Sequence, residues 1–273
     1  MKISIAIATY NGEDYLKEQL DSFLSQTILP YEVIVSDDGS TDNSWEILSN
    51  FKKEAPFKVI LLRGPQKGYS KNFENALKEC SGELICICDQ DDVWMDTKLE
   101  RVAVSFESKK DCDLLIHDIE FCDSEMNPVG QTKIQRYKIS PLSLESYVTG
   151  MATIVKKDLL KLCMPFPEKV TYDKWLHKYA KFLGVRLICK EVLALYRRHD
   201  NNATKGSVIN KSSKVSKFYF KLRKLQKDRL ISFEKRLNLL ENLFISIQEN
   251  EKYIKDNYKN CDYEKEKNRL INI

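Results

Sequence analysis

The sequence predicts an α/β protein: a mostly parallel sheet flanked by helices, with a helical appendage at its end. Three observations predict it. Short runs rich in Ile and Val recur at intervals of about 20 to 30 residues, amphipathic segments fill the intervals, and turn residues follow the runs. Beyond Lys211 only helix formers remain, interrupted weakly near Ser232.

Taken in order, Ile3 to Ala8, Glu32 to Ser36, Lys58 to Leu62 and Leu84 to Cys88 read as strands. Between them, Glu13 to Gln26, Ser44 to Glu54 and Ser70 to Cys80 carry helical spacing, and Leu16, Leu20, Phe23 and Leu24 make one inward stripe. Asn11-Gly12, Asp38-Gly39-Ser40 and Gly64-Pro65 supply turn chemistry just after strands, where open α/β sheets bind ligands. After Trp94 the pattern predicts a helix from about Asp96 to Lys109 and strands near Leu114 to Ile119 and Thr149 to Val155. A helix from Tyr172 to Leu183 and a strand ending at Tyr196 follow, and these elements read as the second half of the same sheet. The expected division is a sheet-bearing domain over 1–205, with halves 1–110 and 111–205, and a helical extension over 206–273.

With 273 residues, 42% apolar and 31% charged, the chain can bury a large core and is expected to fold in water. No run reaches the roughly 18 apolar residues of a membrane span, and the start leads directly into a strand pattern, so a cytoplasmic location is expected. The eight cysteines lie mostly in apolar stretches without a CxxC pair, which argues against a disulfide framework or a zinc site. A net charge of +4 says little by itself about partners.

The segment Asp89, Gln90, Asp91, Asp92 ends an apolar run and so places three carboxylates at the carboxyl end of a buried strand. Crowded carboxylates raise one another's pKa unless a cation compensates them, and hard oxygen ligands suit Mg²⁺ or Mn²⁺ holding a diphosphate. An acidic turn that caps the next helix is the alternative. The loops Thr9-Tyr10-Asn11-Gly12 and Asp37-Asp38-Gly39-Ser40 should converge on the same sheet edge. There Tyr10 can stack on a base and Asp38 can accept the imide N–H of a uracil or thymine. Each loop taken alone is equally an Asx-turn with a helix cap.

In this order the motifs resemble those of family 2 glycosyltransferases, inverting enzymes of the Rossmann-like GT-A fold, over about residues 1 to 205. Ala8 to Gly12 and Asp37 to Asp42 resemble the nucleotide-binding loops, Lys67-Gly68 with Asn72 the third loop, and Asp89 to Asp92 the DxD element. Tyr172 to Leu176 and Tyr196 to Asn202 complete the pattern. With Val93-Trp94 and the late Tyr-Arg-x-His-x-Asn-Asn, it looks most like the bacterial rhamnosyltransferase-like group.

The resemblance implies donor contacts from Thr9, Tyr10, Asn11, Asp38, Lys67, Asn72, Asp89 and Gln90, and a Mn²⁺ or Mg²⁺ site built from Asp91, Asp89 and His199. Asp92 is left as an outer hydrogen-bond acceptor or the cap of the next helix. Arg197 and Arg198 flank His199 with groups that suit phosphate. Asp173 is the candidate general base, because inversion needs one carboxylate opposite the departing diphosphate while metal takes the place of the acid; Asp173 also suits a helix N-terminal turn. Trp175 is either an apolar wall for a sugar or core, and Gly150 either admits the sugar closely or simply starts a strand. Lys71 stands where many relatives carry arginine, a point charge near phosphate without the guanidinium fork.

Between Lys211 and Arg229 eight basic residues face one acid, Asp228, among Phe218, Tyr219, Phe220, Leu222 and Leu225. This basic amphipathic helix over 211–230 either meets the anionic inner membrane surface peripherally or packs on the catalytic domain. Nucleic acid is not an expected partner, since no nucleic-acid fold motif accompanies the charge. Leu237, Leu240, Phe244 and Ile247 suit helix pairing or a homo-oligomer. The implied function is transfer of a sugar, rhamnose favoured, from a dTDP- or UDP-sugar to a hydroxyl of a bacterial surface glycan or lipid-linked acceptor. The alternatives are a nucleotidyltransferase and a non-catalytic nucleotide-binding scaffold.

Overall fold

A computed structural model describes residues 1–140, 142–199 and 234–271. Its first half is β1 (Ile3–Thr9), α1 (Glu13–Leu24), β2 (Glu32–Asp37), α2 (Ser44–Glu54), β3 (Lys58–Arg63), α3 (Tyr69–Glu79) and β4 (Leu84–Cys88). Each strand lies within a residue of its sequence expectation. The reason is local: β1, β2 and β4 bury nearly every residue, so apolar runs bounded by turns mark them unambiguously. Strands β3, β2, β1 and β4 pair in parallel in that order, and Leu16, Leu20 and Phe23 of α1 are buried against them as expected.

The second half is mixed. It comprises β5 (Val93–Trp94), α4 (Lys98–Ser108), β6 (Leu114–Cys122), β7 (Pro128–Thr132), α5 (Lys133–Lys138), β8 (Thr153–Lys156), α6 (Lys157–Cys163), α7 (Tyr172–Leu183) and β9 (Arg186–Arg197). The sheet runs β3-β2-β1-β4-β8-β6-β9-β5, with β7 beside β6; β8 is antiparallel to both neighbours, whereas β6 and β9 are parallel. The strand expected over Thr149 to Val155 begins only at Thr153, because Gly150–Ala152 form a 3-10 turn. β5, β7, α5 and α6 carried no periodic signal. β5 is two residues held by pairing with Leu195 and Ala194, and β7 is almost wholly exposed.

The appendage consists of α8 (234–249), α9 (Glu251–Asn257) and α10 (Tyr263–Ile271). Its buried stripe is Leu239, Leu243 and Ile247, a rotation from the expected Leu237, Leu240, Phe244 and Ile247; Leu237 is 45% exposed. The stripe shares a core with α7, where Phe182 meets Tyr263 edge to face at 5.9 Å and the Tyr179 hydroxyl lies 3.2 Å from Ser246 Oγ. The helix pairing expected here is therefore made within the chain. Among the described residues no helix is long and apolar enough to cross a membrane. The basic helix over 211–230, Asp200 to Asn202 and the 205/206 boundary lie outside the described residues.

Candidate active site

Because β1, β2 and β4 are adjacent and parallel, their carboxyl ends deliver three loops to one edge. The loops are tied together by their own polar side chains. Asp37, buried, accepts the N–H groups of Gly39 and Ser40 at 3.2 and 2.9 Å on one oxygen and the hydroxyls of Ser40 and Thr9 at 2.6 and 3.0 Å on the other. Asn11, with φ of 45°, accepts the Thr41 N–H at 2.9 Å. Asp38 accepts the N–H groups of Gln66 and Gly68 at 2.6 and 3.1 Å and so secures the third loop, while buried Asn72 donates to the Thr9 carbonyl at 3.1 Å. The Gln90 amide clasps the backbone of Tyr10, accepting its N–H at 2.8 Å and donating to its carbonyl at 3.1 Å. Gly12 admits that clasp, since a Cβ there would lie 2.5 Å from Gln90 Oε1.

Of the eight residues expected to contact the donor, Tyr10 at 58% exposure and Lys67 stand open on the rim. Thr9 and Asn72 are buried, and Asn11, Asp38 and Gln90 hold loops in place. Lys71 is engaged within the fold: its ammonium bonds Glu74 at 2.6 Å and the Phe166 carbonyl at 3.3 Å.

At the end of β4, carboxylate oxygens of Asp89, Asp91 and Asp92 all lie within 4.8 Å of one another. At that 4.8 Å limit two full negative charges repel by roughly 3 kcal/mol at an effective dielectric of about 20. Three such pairs would consume most of a domain's stability of about 5–15 kcal/mol. Protons or a cation must relieve them. Accordingly burial, then Asp91 and Asp173, push the Asp89 carboxyl up to about 8, and burial, then Asp91 and Asp89, push Asp92 well above the carboxylate range. Asp92 is fully buried; one oxygen accepts the Arg197 N–H at 3.0 Å and the other has no hydrogen-bond partner. Its cap alternative fails, because the N-cap of α4 is Thr97. A set of hard oxygens with one orphaned buried acceptor fits Mg²⁺ or Mn²⁺.

Two buried cations brace the cluster. Lys98 is fully buried at the start of α4, 3.7 Å from the Trp94 ring centroid and 3.3 Å from the Met151 carbonyl; burial lowers its pKa to about 8 against the pull of the nearby acids. Sequence reasoning missed it, although Lys98, Val102 and Phe106 fall at four-residue intervals on the apolar face of that helix. Arg197, expected near phosphate, is 2% exposed and clamps structure instead: it donates to the Asp91 and Ser124 carbonyls and to the Glu18 carboxylate. That clamp fixes the end of β9 and so sets His199, whose Nε2 lies 2.9 Å from Asp91 Oδ2 and whose ring packs on Tyr15 at 4.5 Å.

Asp173 occupies the first turn of α7, where one oxygen accepts the Thr171 hydroxyl and the Lys174 N–H. Burial and then neighbouring charges, Asp173 among them, raise the pKa values of Asp89 and of Tyr69, so Asp173 lies within electrostatic reach of the acid cluster. Trp175 does not line this space. It is 2% exposed, its indole donates to the Cys163 carbonyl at 2.7 Å, and its ring meets Tyr179, so the core alternative holds. Gly150 makes room for protein rather than sugar, since a Cβ there would lie 2.0 Å from the hydroxyl of buried Tyr172. Gly150→Ala is expected to cost about 1–3 kcal/mol by overpacking, read as a lower melting temperature, and Tyr172→Phe in the same chain should restore part of the loss. An unchanged melting temperature would refute this contact.

A model of glycosyl transferase family 2 matches residues 4–160, from β1 through the acid cluster to α6. A protein of Nostoc sp. described as an uncharacterized glycosyltransferase is 29% identical over 215 residues, 74% of this chain and 66% of its own length. The dTDP-rhamnosyl transferase RfbG of Shigella flexneri is 28% identical over 228 residues, 76% of each chain. Among solved structures, S. aureus TarS in complex with UDP-GlcNAc superposes with a TM-score of 0.61 at 20% identity, covering 90% of this chain and 66% of that one. The mannosyltransferase PcManGT of Pyrobaculum calidifontis, in complex with GDP-Man and Mn²⁺, gives 0.58 at 20% identity over 73% of this chain and 58% of that one. The chain thus spans somewhat under two thirds of the Nostoc relative and of these solved chains. Its fold is the GT-A fold. Since the matched stretch takes in more than half of the residues, including the loops after β1, β2 and β3 and the carboxylates at the end of β4, this chain belongs to glycosyl transferase family 2.

Proposed function

We propose that this chain is a metal-dependent, inverting glycosyltransferase that moves a sugar from a dTDP- or UDP-sugar to a hydroxyl of a bacterial cell-surface glycan. Rhamnose is the favoured sugar. The observation that carries this reading is the convergence of Asp89, Asp91 and Asp92 with His199 at the strand edge beside Tyr10, with Asp173 within electrostatic reach. RfbG and the nucleotide sugars bound by TarS and PcManGT support the donor class, and the family match supports this reading over a nucleotidyltransferase.

Asp89, Asp91 and His199 would hold the ion, with Asp92 behind them. When bound, a divalent cation supplies positive charge for a departing diphosphate. Tyr10 offers its exposed ring to the base and Lys67 its ammonium to the phosphates. Asp173 takes the proton from the acceptor hydroxyl at the oxygen not occupied by Thr171 and Lys174. The test is calorimetric titration of UDP and dTDP with and without Mn²⁺; nucleotide binding that ignores Mn²⁺ would sink the metal-dependent reading.

A pH dependence follows. Asp89 has its folded pKa raised to about 8, so its protonated form stabilises the metal-free protein; that stability is present below about 4 and is lost as pH rises through about 8. A metal must displace this proton, so the rise in melting temperature produced by a fixed Mn²⁺ concentration should grow from pH 6 to pH 8, and Asp89→Asn should flatten the trend. Equal shifts across the range would refute it.

A further inference from the structure

The first turns of α3 and α7 lie side by side. Ser70 of α3 accepts the Tyr172 N–H of α7 on its hydroxyl at 3.3 Å, and the Phe73 and Tyr172 rings meet at 4.5 Å. Tyr69 and Asp173 are the chain neighbours of the two residues in that hydrogen bond, so both helices present their first turns to one space. The frame around Tyr69 is fixed. Asp38 accepts the Gly68 N–H at 3.1 Å, buried Asn72 donates to the Thr9 carbonyl at 3.1 Å, and Phe73 belongs to the core.

Tyr69 itself is 52% exposed. Among the described residues its hydroxyl makes no hydrogen bond and its ring meets no other ring or cation. Single exposed aromatics are ordinary on a protein surface. What distinguishes this one is its surroundings: burial of the covered part, then the carboxylates of Asp173 and Asp89, push its phenol up. After burial, the same two carboxylates also raise the phenol of Tyr172. The open ring of Tyr69 therefore stands within reach of both the proposed ion ligand and the proposed base. During transfer with inversion the sugar lies between the departing diphosphate and the attacking hydroxyl, and so between these two carboxylates.

We infer that Tyr69 is a specificity-determining residue for the transferred sugar, its exposed ring packing on the apolar face of the sugar ring between the carboxylate cluster and Asp173. This rests on the transferase reading above. An aromatic face covers the C–H side of a pyranose and leaves the hydroxyls to polar groups, and a side chain set on the first turn of an anchored helix loses little freedom in doing so. Tyr10 and Tyr69 thus divide the donor between them, the first taking the base and the second the sugar.

The test titrates the full chain, with Mn²⁺ present throughout, against dTDP, UDP, dTDP-rhamnose and UDP-glucose. For the nucleotide sugar that the wild-type chain holds more tightly, Tyr69→Ala should lose at least about fivefold in affinity, the order expected of one aromatic face, while the matching free nucleotide stays within about twofold. Tyr69→Phe keeps the ring and should retain the affinity; a loss as large as that of Tyr69→Ala would overturn the stacking role. Equal losses for nucleotide sugar and free nucleotide would give Tyr69 to the nucleotide and overturn the proposal, as would no loss at all. If Tyr69→Ala does not fold, Tyr69→Leu decides: a loss confined to the nucleotide sugar supports the contact and its absence overturns it. A wild-type chain that binds neither dTDP nor UDP with Mn²⁺ overturns the donor reading itself, whereas normal wild-type binding beside a sugar-blind Tyr69→Ala overturns this proposal alone.

Discussion

Asp91→Ala is expected to abolish Mn²⁺-dependent binding of the nucleotide donor, with a loss of affinity of at least about 100-fold, close to 3 kcal/mol. The side chain does two things at once. Its carboxylate is one of the three crowded acids, and its Oδ2 lies 2.9 Å from His199 Nε2, so truncation removes one ligand and releases another. The backbone should survive, because the Arg197 clamp holds the Asp91 carbonyl, which the truncation leaves in place. Removing one of three mutually repelling charges should leave the melting temperature of the metal-free protein unchanged or higher, which separates lost binding from lost folding. Titration of UDP against the variant with and without Mn²⁺ reads the effect. A variant that keeps its Mn²⁺-dependent affinity would show that the cluster is not the metal site.

Asp173→Asn is expected to leave donor binding intact and to lower the rate of transfer by about 10²–10⁴, the usual contribution of a positioned base. Asn can still accept the Thr171 hydroxyl and the Lys174 N–H through its carbonyl oxygen, so the first turn of α7 keeps its shape. The substitution also removes one charge that pushes the Asp89 carboxyl up, so the ion site should not weaken. The signature is therefore a fall in kcat with donor KM unchanged, which a merely structural role would not produce. Normal transfer by this variant would dismiss Asp173 as the base.

Asp89, Asp91 and Asp92 could be placed from sequence because they fall within four positions of the end of an apolar run, and a strand end keeps near neighbours in the chain together wherever the sheet goes. The neighbourhoods of Lys98, Arg197 and Trp175 could not. Lys98 differs from any surface lysine only through what covers it, and Arg197 found Glu18, 179 positions away, instead of phosphate. Trp175 belongs to the core that α7 shares with α8 and α10, and residues more than 60 positions later complete that core.

The sequence by itself determined the order of strands and helices in the first half, the three loops at one sheet edge and the acidic end of β4, since apolar runs, helical spacing and turn residues are local and the parallel pairing follows from their alternation. Tertiary structure alone decided which polar side chains build the loops and which face outward, how β8 and β9 enter the sheet, and where the cations sit. The physical reason is that a side chain's charge state and partner depend on burial and on groups distant in the chain, and neither is written in the few residues around it.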